Sequence, residues 1–305
     1  MKIFNNSNIP KKYRRSSLAI GNFDGIHRGH QKVFKYAKRY AKRNKSKFGI
    51  LTFSPLPMMF FNKKIKNYRL VSEDEKFEIL KKYGVDFVIN LKFNKKFSKI
   101  SAKNFIKKII FGKINPSQVF VSNNFKFGYK RKGDVKLLKK FGYNYKYRLS
   151  KITPLKFSKK LVSSTRIRKC LQKGNIILAN KLLSRTWSIN GNVIKGKKLG
   201  RKLGFRTCNI RIKNYVLPAS GVYAVKVLIK NEKSSFRGIA YLGSRPTFNG
   251  KEIFLEINIF NFKRNLYKKK LKVYFLKFLR KDRKFKNSSA LVRQMNKDVI
   301  LAKKV

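Results

Sequence analysis

Residues that build metal centres and disulfide frameworks are scarce in this sequence. Its only histidines are His27 and His30, and its only cysteines are Cys170 and Cys208. The cysteines lie far apart and form no C-x-x-C pair, so we expect two free thiols in a reducing cytoplasm. No third histidine, cysteine or acidic cluster accompanies His27 and His30, which argues against a metal site there.

Long apolar runs are absent as well. No uninterrupted hydrophobic run approaches the ~20 residues that span a bilayer. Residues 1–17 are polar and basic and lack the apolar centre of a secretory signal. The sequence therefore predicts a cytoplasmic protein with no membrane partner.

Acidic residues are few: 12 Asp and Glu stand against 78 Lys and Arg, which gives a formal net charge of +66. Such a charge is typical of nucleic-acid-binding proteins. Here, however, basic residues occur in nearly every segment, without a helix-turn-helix, zinc-finger or aromatic RNA-binding signature. We interpret them as a solvated surface that binds nucleic acid nonspecifically and in a salt-dependent manner.

The first half alternates strand-like and helix-like segments, which indicates a parallel α/β sheet that binds ligands at the carboxyl ends of its strands. Pro55 and Pro57 predict extended chain without a helix after the second strand. The strand-like segments are 18–20, 48–53, 85–91, 118–121 and 145–149.

The stretch from Leu18 to His30 is a phosphate-site candidate within this pattern. Gly21 and Gly25 permit a tight turn after the first strand, and the apolar spacing beyond Gly29 predicts a helix. A helix start after such a turn gathers unpaired backbone N–H groups at the positive end of the helix dipole. Both histidines fall in this turn.

The second half changes pattern after Leu183 and contains six short strand-like segments without helices between them. They predict a small closed antiparallel barrel. A terminal helix over 288–304 follows, with Leu291, Met295, Val299 and Ile300 at core-facing spacing. We therefore predict domains over 1–183 and 184–305. The strand-like segments are 187–194, 207–212, 221–230, 236–241, 252–260 and 271–279.

Motifs in both halves carry a family resemblance. Residues 21–30 read G-N-F-D-G-x-H-x-G-H, which resembles the nucleotidylyltransferase signature of bacterial bifunctional riboflavin kinase/FAD synthetases. Residues 122–128 resemble the family's G-x-D-F-x-F-G, with Ser122 for Gly and Asn124 for Asp. Residues 163–168 match its S-S-T-x-x-R. The resemblance implies a Rossmann-like N-terminal nucleotidylyltransferase domain and a C-terminal β-barrel riboflavin kinase domain with a terminal helix.

The resemblance also implies an FMN adenylyltransferase site in the first half. His27 and His30, with the helix start, would hold the ATP phosphates, and Arg168 would face the leaving pyrophosphate. The hydroxyls of residues 163–165 could bind phosphate or simply cap a helix. The implied nucleotide-binding residues are Gly21, Asn22, Phe23, Asp24, Gly25, Asn124, Ser163, Ser164 and Thr165.

A kinase site is implied in the second half, where residues 191–209 resemble the glycine-rich loop that ends G-F-P-T-A-N. Arg206 replaces its Pro and Cys208 its Ala, which relaxes a fixed φ angle and puts a guanidinium beside the phosphates. Gly196 and Gly200 would let the backbone approach phosphate, and Thr207 and Asn209 would offer oxygens to ATP and Mg²⁺.

Glu256 is the general base that the resemblance implies for the riboflavin 5′-hydroxyl, although a glutamate in a strand can also be an ordinary outward-facing residue. Arg280 is implied near the flavin. Asn261 and Lys268 replace the Asp and the second Gly of the family's D-x-x-x-x-L-Y-G.

The expected function is therefore the synthesis of FMN from riboflavin and ATP, followed by the synthesis of FAD from FMN and ATP, both with Mg²⁺. Two alternatives stay open. The substitutions at Asn124 and Arg206 suggest a chain that retains one activity only, and the charge suggests a basic nucleic-acid-binding protein on an old enzyme fold.

Overall fold

The computed structural model describes residues 1–195, 204–232, 234–247 and 250–305, with the backbone alone described for 244–247 and 250–252. Within these ranges the chain forms two compact units. The first contains Met1–Lys66 and Glu73–Ser163, and the second contains Asn67–Ser72 and Ser164–Val305. Residues 164–183 lie in the second unit by their contacts, whereas the sequence places them in the first domain. The boundary at Leu183 stays a prediction.

The first unit is built on a six-stranded parallel sheet, as predicted from the first-half pattern. The strands are β1 (Lys2–Phe4), β2 (Ser17–Ile20), β3 (Phe48–Ser54), β4 (Phe87–Lys92), β5 (Gln118–Ser122) and β6 (Arg148–Ile152), and a small hairpin adds β7 (Lys156–Phe157) and β8 (Lys160–Leu161). All of β2 and nearly all of β3 are buried. Such near-continuous burial is typical of parallel strands covered on both faces.

Helices connect these strands, and one of them lies where the sequence predicts extended chain. Pro57 is the first residue of a short helix, so the prediction of extended chain after the second strand is wrong. Proline fits the first helical position because the N–H that it lacks would be unpaired there anyway. The helices are α1 (Arg28–Arg43), α2 (Pro57–Phe61), α3 (Glu73–Lys82), α4 (Lys95–Ser98), α5 (Ala102–Asn104), which continues as the π-helical Phe105–Ile114, and α6 (Val135–Asn144).

The strand order β1-β4-β3-β2-β5-β6 puts the carboxyl ends of β2 and β5 side by side. From β2 the chain builds outward through β3 and β4, and then crosses to β5 and β6 on the other side. This reversal opens a crevice at the carboxyl ends of β2 and β5, where α/β sheets bind ligands. The turn after Ile20 and the segment after Ser122 both leave the sheet at this crevice.

The second unit contains the predicted closed antiparallel barrel. Two helices, α7 (Ser164–Gln172) and α8 (Ile176–Leu183), precede it. Trp187, which is fully buried, donates its indole N–H to the carbonyl of Leu70 at 2.8 Å and so fastens residues 67–72 within this unit. The barrel strands are β9 (Ser188–Ile194), β10 (Cys208–Arg211), β11 (Gly221–Ile229), β12 (Ser235–Thr247), β13 (Gly250–Ile259) and β14 (Lys270–Lys281), joined in the order β10-β13-β12-β11-β14-β9.

The terminal helix α9 (Ser288–Lys303) packs on the barrel. Three of its four predicted core-facing residues, Leu291, Met295 and Val299, are half-buried. Ile300 is exposed, so its expected core position is wrong. The buried residues of α9 are Asp298 and Ala302. Asp298 is buried because it pairs with a charged partner on the barrel, Arg280 of β14.

Candidate active sites

The turn after β2 uses an unusual backbone. Phe23, Gly25 and Ile26 have φ angles of 47°, 81° and 41°, which lie in the left-handed region. A Cβ at Gly21 would lie 3.1 Å from the Phe23 ring, so this glycine is needed for space and Gly25 for conformation. The two non-glycine residues are held by burial, with Phe23 3% and Ile26 0% exposed. Such strain is typical of functional turns.

His27 forms the N-cap of α1. Its Nδ1 accepts the backbone N–H of His30 at 3.4 Å, which puts the imidazole proton on Nε2. The two imidazole rings are stacked with centroids 3.6 Å apart, and Phe23 packs edge-on against His30. The cap, the stacked rings and the positive end of α1 therefore meet at one point, which suits an anionic ligand.

Asn124 follows β5 and leaves the sheet beside this turn. Ser122, where the family has glycine, donates its hydroxyl to Asn124 Oδ1 at 2.8 Å. Because the Asn124 oxygen accepts this bond, its amide NH₂ remains to donate a hydrogen bond to a ligand. A neutral donor is compatible with a phosphate at this edge of the sheet, where a carboxylate would repel one.

The S-S-T-x-x-R segment spans the division between the units, since Ser163 ends the first and Ser164 begins α7 in the second. Within the second unit Arg168 is 8% exposed. Its Nε donates to the carbonyl of Tyr68 at 2.8 Å, and its guanidinium lies 3.6 Å from the centroid of the Tyr68 ring. Arg168 thus holds residues 67–72 in place, a contact that the motif alone does not predict.

The second candidate site centres on a pair of residues that face each other across two strands of the barrel. Asn209 of β10 and Glu256 of β13 are register partners, so their side chains lie on the same side of the sheet. Asn209 is 7% exposed, and its Oδ1 is buried without a hydrogen-bond partner among the described residues. A buried, unpartnered amide oxygen opposite a carboxylate is a donor set that fits Mg²⁺.

No group of three or more His, Cys, Asp or Glu side chains suited to a metal ion occurs within the described ranges. Mg²⁺ in phosphoryl-transfer sites takes one or two protein oxygens and completes its shell with water and substrate phosphates. Gly196 and Gly200, predicted for the same site, lie outside the described residues.

A cavity of about 270 Å³ opens at the end of the barrel where β10 begins. Its walls include Thr207 and Cys208 on one side and the loop 262–267 on the other. Three basic residues, Arg206, Lys263 and Arg264, line it without an acidic counterpart in the lining. Arg264 is held by a bidentate pair with Glu232 at 2.8 and 3.2 Å. The cavity therefore suits an anion with an apolar part.

Arg206 has a partner that sequence reasoning missed. The side-chain amide of Asn258, two residues after Glu256, donates to the Arg206 carbonyl at 2.8 Å. This bond fixes the backbone immediately before Thr207 and Asn209. It supplies by hydrogen bonding part of the restraint that proline would supply by its ring.

Arg280, expected near the flavin, is used within the protein. Its Nε lies 2.9 and 3.0 Å from the Asp298 oxygens, and its Nη2 lies 2.7 Å from one of them. Its Nη1 donates to the Lys281 carbonyl at 3.1 Å. The guanidinium thus ties α9 to β14, and the flavin contact stays a prediction.

Two further residues beside the first turn were missed: Lys76 of α3 and Thr52 of β3. Lys76 is 2% exposed, and its ammonium lies 3.1 Å from the Thr52 hydroxyl. The Thr52 hydroxyl in turn lies 3.1 Å from the carbonyl of Asn22. The helical period could have found Lys76, since it shares the buried face of α3 with Ile79 and Leu80.

Comparisons with known proteins give consistent results for both halves. The model of the FAD synthetase family matches residues 9–166, and the model of the riboflavin kinase family matches residues 183–305. A bifunctional riboflavin kinase/FMN adenylyltransferase from Buchnera aphidicola subsp. Schizaphis graminum is 39% identical over 300 residues, which cover 97% of this chain and 96% of that protein. The protein of the same name from Escherichia coli strain K12 is 32% identical over 286 residues, which cover 94% and 91%.

One solved structure, described as a macrolide-efflux protein from Streptococcus pneumoniae, resembles the whole chain. It has a TM-score of 0.87 at 28% identity, and the match covers 99% of this chain and 98% of that one. Among the described residues of the present chain, no helix is both long enough and apolar enough to cross a membrane. The fold is therefore one that a solved protein of similar length already displays.

Proposed function

The chain belongs to the family of bifunctional riboflavin kinase/FMN adenylyltransferases, and from that membership we propose that two separate nucleotide sites carry its two activities. One activity phosphorylates riboflavin to FMN, and the other joins FMN to the adenylyl group of ATP to give FAD. The observation that carries the assignment is the pairing of Asn209 with Glu256 on the barrel, on a framework that shares no strand with the His27 turn.

Adenylyl transfer needs no protein nucleophile, since the FMN phosphate itself attacks the α-phosphorus of ATP and pyrophosphate leaves. The protein has to align two anions and stabilise the charge that develops on the leaving oxygens. The start of α1 and the turn of residues 21–25 would hold the ATP phosphates, with Nε2–H of His27 as a directed donor. His30 and Arg168 would complete the charge balance, Arg168 on the pyrophosphate side.

Asn124 and the hydroxyls of Ser163, Ser164 and Thr165 would complete this nucleotide site. The carboxyl end of β5 supports the placement of Asn124, because ligands bind where neighbouring strands of an α/β sheet end. Thr165 is exposed near the start of α7 and so retains a hydroxyl for phosphate.

Phosphorylation of riboflavin would proceed at the barrel. Glu256 would accept the proton of the riboflavin 5′-hydroxyl as its oxygen attacks the γ-phosphorus of ATP in line. The half-buried side chain of Glu256 and its register with Asn209 support this role. The basic lining beside Thr207 would attract the polyphosphate. Gly196 and Gly200 are still proposed to let the backbone approach phosphate.

Thr207 and Asn209 would hold Mg²⁺ in the kinase site. The supporting observation is that Asn209 Oδ1 is buried and accepts no hydrogen bond from the described residues. The ion would neutralise charge on the transferred phosphoryl group. We keep the division of the chain at Leu183 as part of the proposal, supported by the start of the riboflavin kinase match at residue 183.

Nonspecific nucleic-acid binding is a secondary proposal. α1 contains seven basic and no acidic residues, and similar composition recurs through the chain. Binding of this kind is expected to weaken steeply with salt and to show no sequence preference. Retention of one RNA sequence over others near physiological salt would point to a dedicated partner instead.

Incubation of the purified chain with ATP and Mg²⁺ tests the proposal, with riboflavin as the flavin in one reaction and FMN in another. Chromatographic separation should give FMN and then FAD from riboflavin, and FAD from FMN. FMN as the sole product of riboflavin would mean an inactive adenylyltransferase. FAD formed only when FMN is supplied would mean an inactive kinase.

A further inference from the structure

Lys76 is an anomaly in this chain. Lysine and arginine together number 78, yet Lys76 is the only buried lysine among the described residues. Burial of an ammonium is costly unless hydrogen bonds or charges compensate it, so the contacts of Lys76 must be specific. Adenylyl transfer as proposed gives it no role.

The hydrogen bonds of Lys76 determine the orientation of its neighbour. A lysine ammonium can only donate, so the Thr52 oxygen accepts from it at 3.1 Å. The Thr52 proton is then left for the carbonyl of Asn22, which lies 3.1 Å away. Thr52 is fully buried, and water therefore does not compete for either bond.

A fixed Asn22 carbonyl fixes the whole peptide group between Asn22 and Phe23. The C=O and N–H of a trans peptide point in opposite directions, so the Phe23 N–H points away from Thr52. This N–H has no hydrogen-bond acceptor within the described part of the chain. The φ angle of Phe23, which describes rotation about the bond that follows this peptide group, is 47° and lies in the left-handed region.

We propose that Lys76 is a positioning residue for adenylyl transfer: through Thr52 it holds the 22–23 peptide so that the Phe23 N–H is presented to a phosphate of ATP. The proposal rests on the proposed function of the first site and deepens it. It concerns orientation, and it transfers no proton or group.

Two matched variants of Thr52 test the relay. Thr52→Val keeps the shape but removes the hydroxyl, and Thr52→Ser keeps the hydroxyl. We expect Thr52→Val and Lys76→Met to lower kcat/KM for ATP in FMN adenylylation by about tenfold or more, chiefly through a higher KM, because a buried charge-assisted bond is lost. Thr52→Ser should stay within about threefold of the unchanged protein.

The kinase activity of the same chain is the internal control. Riboflavin phosphorylation should be unchanged in every variant. In FMN adenylylation, the double variant Thr52→Val/Lys76→Met should have a kcat/KM for ATP no lower than that of the less active single variant, since both residues act through the same hydrogen bonds. Where Lys76→Met does not fold, the comparison of Thr52→Val with Thr52→Ser decides alone.

Three results would overturn the proposal: an unchanged KM for ATP in a destabilised Thr52→Val variant, equal loss in Thr52→Val and Thr52→Ser, or parallel loss of both activities. Failure of the proposed function looks different, because the unchanged protein would then form no FAD from FMN.

Discussion

Replacement of Asp298 by asparagine should loosen the terminal helix from the barrel. The side chain of Asp298 is 3% exposed and that of Arg280 13%, and their closest atoms are 2.7 Å apart. Gln294 also donates to Asp298, at 2.8 Å. Asp298→Asn leaves a largely buried guanidinium without its counter-charge.

The expected cost follows from that burial. Removal of one partner of a buried ion pair costs about 3–5 kcal/mol. Because the asparagine oxygen can still accept one hydrogen bond, the lower end applies, about 3 kcal/mol. For a folding unit of this size each kcal/mol corresponds to roughly 3 °C, so the melting temperature should fall by about 10 °C.

Thermal unfolding followed by circular dichroism measures this shift, and Asp282→Asn is the matched control. Asp282 is exposed and accepts the hydroxyl of Tyr241 at 2.9 Å. Its replacement changes the net charge by the same amount, but it should lower the melting temperature by no more than about 2 °C. Equal shifts in the two variants would refute the reasoning from burial.

The pair also tests the role expected for Arg280. If the guanidinium serves the helix, Arg280→Ala and Asp298→Ala should be strongly non-additive in stability. An apolar pair, Arg280→Met with Asp298→Leu, should recover most of the loss. If Arg280 also contacts flavin, the double variant Arg280→Met/Asp298→Leu should have a raised KM for riboflavin even though its stability is recovered. Asp298→Asn, measured at a temperature where it is folded, should leave that KM unchanged.

Three further predictions concern the barrel. Glu256→Gln should lower FMN formation by about 10²–10⁴-fold and leave adenylylation of supplied FMN unchanged, and an unaffected FMN rate would remove Glu256 from the role of base. Asn258→Ala should lower the kinase kcat/KM for ATP by about tenfold, because the backbone at Arg206 loses its hydrogen bond. Adding Arg206→Pro to the same chain should restore the kcat/KM, because the proline ring replaces the lost restraint. Absence of rescue would contradict the claim that Asn258 acts by restraining this backbone. Burial raises the pKa of Cys208 to about 12, so alkylation by iodoacetamide should be slow at pH 8 and quicken as the pH rises, whereas a rate like that of free cysteine would contradict the burial.

The parallel sheet and the closed barrel could be predicted because most of their strands carry an apolar run and are separated by helix-like segments, glycine turns or charged loops. The edge strand β1 could not, since its three residues are mostly exposed and show no apolar pattern. α2 was missed for a different reason: proline ends a helix but also begins one, and sequence alone does not say which.

The candidate sites divide in the same way. The position of His27 and His30 in the turn before a helix followed from a local motif, and the structure adds that His27 caps this helix through the His30 N–H. The pairing of Asn209 with Glu256 depends on the register of two strands far apart in sequence. The Asp298 partner of Arg280 was missed because apolar spacing assigns core positions to apolar residues only, whereas Asp298 is buried through an ion pair with another element.

The separation of the two nucleotide sites is tested most directly by His27→Ala with riboflavin, ATP and Mg²⁺. His27 caps α1 in the first unit, and the Asn209–Glu256 pair lies on the barrel of the second. We predict that FMN accumulates at the rate of the unchanged protein while FAD formation falls by at least about 100-fold. Equal loss of FMN and FAD would contradict two separate sites, and undiminished FAD would contradict the assignment of His27 to the adenylyl-transfer site.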